Sequence, residues 1–178
     1  MNLRKLNRMK RRLNRVSLNN LDGKKNLIGA EIGVQYGVNA KSILERFDIK
    51  TLYLIDPYPR HTGIRGHLNG EVVESIAKKY LKEFDDKIVW IKDYSWNAIF
   101  KVPELDFSYI DGDHTYPVVR TDMDLYYPKV KSGGLFAGHD YNRYRRHRGL
   151  RRAVNEFFAD KDEDLQLGGN QDWWCIKK

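Results

Sequence analysis

The chain has 178 residues, 41% hydrophobic and 12% aromatic, with one cysteine and a formal charge of +8. That is enough for one domain with its own core, too short for two comfortable ones, and too apolar for a disordered chain. The lone Cys175 excludes an internal disulfide and a thiolate zinc site, and no stretch approaches the roughly 18 continuous apolar residues of a membrane span.

The charge is concentrated at one end. Residues 1–25 hold nine Lys and Arg against Asp22 alone, whereas the remainder balances at 23 positive and 23 negative. Leu3, Leu6, Met9 and Leu13 recur at helical spacing, which predicts a basic N-terminal helical arm over 1–25, laid on a neutral body by a thin apolar stripe. The run MNLRKLNRMKRRLNR has no apolar h-region and does not read as a secretory signal, so a cytoplasmic setting is expected. Such an arm is either a solvated leader or an electrostatic handle for an anionic substrate or a nucleic acid. Because it precedes the first strand, it is expected to stay clear of a pocket at the strand ends.

From residue 26 onward, short apolar runs alternate with helix-period segments, giving a single domain over 26–178. LIGAEIG reads as a strand, and Asn39 as the cap of a helix through KSILERF. TLYLI is a second strand, closed by Asp56-Pro57, and a long loop leads to a helix over Glu71–Phe84. IVWI, LDFSYI and GLFAG are further strands. Between the last two lies a helix over Pro117–Tyr127, with Pro117 in its first turn. Gly149–Phe158 gives another helix, and LQL with WWCI closes the chain as a hairpin. Runs buried on both faces and separated by helices imply a doubly wound α/β fold with a parallel sheet. All five histidines, His61, His67, His114, His139 and His147, fall in segments that follow strands, where open α/β sheets bind ligands.

The first strand-to-helix turn reads Glu31-Ile32-Gly33-Val34-Gln35-Tyr36-Gly37. This E-x-G-x-x-x-G pattern lacks the close glycine pair of the dinucleotide fingerprint, which disfavours a nicotinamide-dependent dehydrogenase. It leaves an acid, Glu31, at the strand end, suited to an amine-bearing ligand. Asp56 ends the second strand, where a carboxylate can take both hydroxyls of a ribose. Asp93-Tyr94-Ser95 ends the third, positioned to border an adenine ring. Past the fourth strand lie Asp111, Asp113 and His114, and past the fifth lie His139 and Asp140. Neighbouring strands bring these groups together. Oxygen-rich and free of thiols, the set matches a hard divalent ion such as Mg²⁺, Ca²⁺ or Mn²⁺. The plainer alternative is that Asp111 and Asp113 make loop hydrogen bonds, or meet only the ligand's amine.

From residue 26 to the end the sequence resembles the class I S-adenosylmethionine-dependent methyltransferases. More narrowly, it resembles a small group carrying IDG(D/S)H(S/T)Y after strand four and GG-x-x-x-x-HD after strand five; GLRRAVNEFF and WWCIKK belong to the same likeness. The resemblance implies a Rossmann-like, seven-stranded, mostly parallel sheet with helices on both faces and an antiparallel last strand. It implies S-adenosylmethionine as cofactor, with Gly33, Gln35 and Gly37 lining its methionine part, Asp56 its ribose, and Asp93 and Tyr94 its adenine. By similarity to metal-dependent sugar O-methyltransferases, Asp111 and Asp140, with His139, would hold a divalent cation such as Mg²⁺, and His114 would be the general base. Catechol and caffeoyl-type relatives carry Asp-Asn where this chain has His139-Asp140. The acceptor implied is a sugar or other small hydroxylated molecule. Arg60, Arg65 and the arginines between 143 and 152 form a rim suited to an anionic one. An RNA or protein acceptor reached through the arm, or a non-catalytic cofactor-binding module, are the other readings. The sequence leaves the oligomeric state open.

Overall fold

The computed structural model describes the chain except residues 60, 64, 65, 142–147 and 170; for 61–63 and 66–68 it describes the backbone alone. The arginine rim expected at Arg60, Arg65, Arg143, Arg145 and Arg146, and the side chains of His61, His67 and His147, therefore lie outside the described residues.

Strands β1 (Leu27–Ile32), β2 (Ile49–Ile55), β5 (Ile88–Ile91), β6 (Leu105–Ile110) and β7 (Val130–Gly138) form one sheet with β8 (Gln166–Gly168) and β9 (Asp172–Ile176). The order is β5-β2-β1-β6-β7-β9-β8. β5, β2, β1, β6 and β7 pair in parallel, and β9 runs antiparallel to both its neighbours. The expected seven-stranded, mostly parallel sheet is present. The order reverses at β1, whose carboxyl end, beside that of β6, is the place where a doubly wound sheet opens a ligand crevice.

Strand periodicity assigns alternate residues to opposite layers. Leu52, Leu54, Phe107 and Tyr109 pack under α2 (Val38–Arg46) and α3 (Gly70–Leu81). Ile55, Ile110 and Phe136 face the other layer, with α5 (Tyr116–Tyr126) and α6 (Arg148–Phe158) supplying Met123, Val154 and Phe157. Trp173 is fully buried there and meets the Phe136 ring edge-on at 5.4 Å.

Five details differ from the sequence-based expectation. The helix of the N-terminal arm, α1, covers only Leu3–Lys10, and a 3-10 turn follows at Val16–Leu21. Leu6, Leu18 and Leu21 are buried in the same core as the sheet, each contributing on the order of 2 kcal/mol by burial. Asn39 does not cap α2; Gly37 does, at φ +73°, and Asn39 lies inside the helix. α3 stops at Leu81, because Phe84 takes non-helical angles within a 3-10 stretch over Lys82–Lys87. The long loop after Asp56 carries a short antiparallel hairpin, β3 (His61–Gly63) with β4 (Gly66–Leu68), so His61 and His67 lie on strands. A four-residue helix, α4 (Ser95–Ala98), follows β5.

Candidate functional site

The carboxyl ends of β1, β2, β5, β6 and β7 surround a cavity of about 660 Å³, within the size range of small-ligand pockets. Glu31, Gly33, Gln35, Asp56, Tyr94 and Asp111 line it, and so do His114 and Asp140. Of the residues singled out from sequence, Gly37, Asp93 and His139 do not line it.

The turn after β1 is shaped by close backbone approach. Gly33 has φ +90°, and a Cβ added there would lie 2.4 Å from the Asp111 carbonyl oxygen. Only glycine lets the ends of β1 and β6 meet this closely. Gly37 turns the chain into α2, and its missing Cβ leaves room for Leu81. Asp56, 7% exposed, holds this turn: Val34 N–H and Gln35 N–H donate to its Oδ2 at 3.0 and 2.9 Å, and Tyr58 N–H donates to its Oδ1 at 2.7 Å. Oδ2 is filled by its two N–H partners, while Oδ1 keeps a lone pair for a ligand.

Glu31 is 1% exposed. Asn39 Nδ2–H donates to its Oε1 at 3.1 Å, while its Oε2 is buried with no hydrogen-bond partner among the described residues. Burial pushes its pKa up to about 8, opposed by the Asn39 hydrogen bond and reinforced by the nearby Asp111 charge. An ammonium group set against that oxygen would restore the carboxylate.

Past β5, Asp93 accepts from Tyr94 N–H and Asn97 Nδ2–H at 2.8 and 2.9 Å, tying down the start of α4 instead of facing the cavity. Tyr94 does face it, stacked on Trp96 with ring centroids 4.6 Å apart and planes 8° from parallel. Ser95 donates its hydroxyl hydrogen to Asp122 of α5, a 1% exposed carboxyl that burial raises to about 7. Neither Trp96 nor Asp122 was singled out from sequence. The aromatic two residues after Tyr94 was the available signal for the first; nothing marked the second beyond an acid on a buried helix face.

The opposite wall carries titratable groups. His114 Nε2 is 3.0 Å from Asp140 Oδ2. The close Asp140 carboxylate, outweighing burial, raises the imidazole pKa. Burial works against the Asp140 charge, but hydrogen bonds from His114 and His139 prevail and its pKa is lowered. His139 Nδ1 lies 3.4 Å from Asp140 Oδ2 and 3.9 Å from Asp111 Oδ1. Asp111, His139 and Asp140 each present a ligand atom within 4.8 Å of the others. Asp113 instead accepts from Thr115 N–H at 2.6 Å at the start of α5, the loop role weighed for it from sequence.

The N-terminal arm does not stay clear of the pocket. Met9, Leu13 and Arg15 line it, and Arg15 Nη2–H donates to Asp111 Oδ2 at 2.9 Å. Behind this pair, Ser17 N–H and Oγ–H donate to Asp172 Oδ2 at 3.0 and 2.7 Å, and Tyr109 Oη–H donates to Asp172 Oδ1 at 3.1 Å. The arm is thus pinned across the ends of β6 and β9, an arrangement for which a basic run gives no sequence signal.

Residues 30–141 match the family model of a methyltransferase domain. The chain belongs to that family. Its fold is that of the S-adenosylmethionine-dependent methyltransferases. An uncharacterized protein of Acanthamoeba polyphaga mimivirus is 32% identical over 152 residues, a match covering 81% of this chain and 65% of that protein. Among solved structures, the precorrin-6y C5,15-methyltransferase of Geobacter metallireducens superposes with a TM-score of 0.67 at 14% identity, covering 92% of this chain and 86% of that one. The O-methyltransferase NovP gives 0.61 at 18% identity, with 98% and 79% covered. An rRNA methylase of Streptococcus thermophilus gives 0.63 at 14%, with 90% and 91% covered. At these identities the methyltransferase domain shares a fold with all three, and their different names leave the acceptor to be argued from the site. No helix among the described residues is long and apolar enough to cross a membrane.

Proposed function

We propose that this methyltransferase domain transfers the methyl group of S-adenosylmethionine to a hydroxyl oxygen of a sugar or other small, anionic acceptor. The observation that carries the reading is that a single cavity is bounded on one side by the Gly33–Gln35 turn and Asp56, and on the other by the His114–Asp140 pair. The cofactor's methionine amine would meet Glu31 and Asp111, its ribose Asp56, and its adenine the Tyr94 ring. Asp93 ties down the start of α4 and Gly37 shapes the turn, both without lining the cavity. The buried free thiol of Cys175 suits a reducing, cytoplasmic setting.

The sulfonium is already a strong methyl donor, so the protein's task is in-line alignment and removal of the acceptor's proton. With Nε2 3.0 Å from Asp140 Oδ2, a neutral His114 protonated on Nε2 would carry its lone pair on Nδ1, the atom that would receive the proton. Asp140 then faces an imidazolium and stabilises it. Two carboxylates and an imidazole also fit a hard divalent ion, and Asp111, His139 and Asp140 are the residues that would hold it. Such an ion supplies Lewis acidity, favouring the acceptor's alkoxide.

A second reading has one observation in its favour. Arg4, Lys5, Arg8, Arg11 and Arg12 are exposed on or just after α1, beside Met9 and Leu13 of the cavity wall. A nucleic acid held along that face would deliver a substrate to the same site, with an affinity falling steeply as salt rises. Calorimetry with S-adenosylhomocysteine tests the cofactor; labelled methyl transfer to a panel of small acceptors and RNA separates the two readings. Absence of S-adenosylhomocysteine binding would remove both. Binding without transfer to any acceptor would favour a non-catalytic module.

A further inference from the structure

The arm brings a cation to the carboxylate that the sheet offers. Arg15 precedes the 3-10 turn and its side chain is only 14% exposed. One of its N–H groups is spent on Asp111, its guanidinium carbon lies 5.9 Å from the centre of the Tyr109 ring, and its Nε is buried without a hydrogen-bond partner among the described residues. The side chain is thus enclosed by the site and not merely laid on the surface. Its backbone is fixed independently of this contact, by Ser17 on Asp172 and by the buried Leu18 and Leu21.

Arg15 engages Asp111 Oδ2, while Asp111 Oδ1 faces His139. A divalent ion held by Asp111, His139 and Asp140 would share its carboxylate with the guanidinium in a largely buried spot. Two like charges there repel strongly, because burial weakens solvent screening. We propose that Arg15 is the resident cation of the acceptor site: the guanidinium and a divalent ion are alternative occupants of the Asp111 carboxylate, so the N-terminal arm sets how far this methyltransferase depends on metal. The inference rests on reading Asp111, His139 and Asp140 as the acceptor end of the cavity. It differs from a purely structural ion pair, which would anchor the arm without affecting metal affinity.

The test uses the full chain and Mn²⁺ alone as probe, with free Mn²⁺ followed by electron paramagnetic resonance. Wild type and Arg15→Lys, which both keep a cation, are expected to bind Mn²⁺ weakly. Arg15→Gln, which keeps a hydrogen-bond donor without charge, is expected to bind at least tenfold more tightly, and Mg²⁺ should displace the bound Mn²⁺. A melting temperature for each variant confirms that it is folded. Equal Mn²⁺ affinity in wild type and Arg15→Gln overturns the proposal, whether that affinity is high or undetectable. S-adenosylhomocysteine calorimetry on the same samples separates the two levels. Retained cofactor binding with equal Mn²⁺ affinities defeats this inference alone, whereas lost cofactor binding in wild type defeats the methyltransferase reading beneath it.

Discussion

Asp56 Oδ2 accepts the backbone N–H of Gln35 over 2.9 Å, and Gln35 sits at φ +49°, a left-handed conformation that side-chain-bearing residues seldom adopt. The carboxylate therefore restrains the turn after β1 as well as facing the cavity. Asp56→Ala removes both functions. Cofactor affinity should fall by about 2–3 kcal/mol, roughly 30- to 150-fold, if charged hydrogen bonds to the ligand are lost. The melting temperature should fall too, because Val34, Gln35 and Tyr58 lose their acceptor. Calorimetry with S-adenosylhomocysteine and a thermal melt measure the two effects; wild-type affinity in the variant would show that Asp56 serves the turn alone.

Gly33→Ala isolates the close approach of β1 to β6. The added methyl would meet the Asp111 carbonyl and the Gly112 Cα at 2.4 and 2.5 Å, both backbone atoms that cannot rotate away. Positive φ adds its own strain, so a loss of about 1–3 kcal/mol of stability is expected. Because the displaced backbone is that of Asp111, cofactor affinity should drop with it. A variant as stable as wild type in chemical denaturation would mean that the strand ends can separate freely.

How much of this was legible in advance follows from what fixes each residue. Glu31 lies at the end of a short apolar run, and Asp56, Asp111 and Asp140 follow theirs; such runs end where the sheet ends, so their gathering at one edge could be read from the sequence. Asp93 also follows a strand, yet it is turned aside because the N–H groups of Tyr94 and Asn97 are nearer partners. Asn39 looked like a cap because caps favour its side chain; the buried Glu31 claimed it instead. Arg15 was illegible. Seven of the first fifteen residues are Lys or Arg, and which one turns inward is decided by Ser17 docking on Asp172, a contact spanning 155 positions.

Asp122 gives a pH signature. Its folded pKa of about 7 lies above the ordinary carboxyl value because burial disfavours the charge. The folded state then holds a proton that the unfolded chain has released. The stabilisation is fully present below the unfolded pKa near 4 and is lost as pH rises through 7, at a slope of roughly 1.4 kcal/mol per unit within that window. Asp122→Asn does not ionise and still accepts from Ser95. Its melting temperature relative to wild type should therefore rise between pH 5 and pH 8. Parallel pH profiles for the two proteins would count against a buried, titrating Asp122.

His114 tests the chemistry itself. It lines the cavity and pairs with Asp140, whereas Glu31, Gly33 and Asp56 shape the cofactor side. His114→Ala should therefore leave S-adenosylhomocysteine affinity near the wild-type value while turnover falls roughly 10²- to 10⁴-fold, the usual effect of removing a positioned base. His114→Gln can still donate a hydrogen bond to Asp140 but offers no basic nitrogen, so it should be as slow as the alanine variant if proton removal is the role. Chelation divides the remaining ground. If a divalent ion activates the acceptor oxygen, exhaustive chelation should abolish turnover and Mg²⁺ or Mn²⁺ should restore it, and Asp140→Asn should mimic the chelator. Activity that survives chelation but not His114→Gln would leave the imidazole as the base acting without metal. Full activity in both would reduce the site to alignment of the acceptor against the sulfonium.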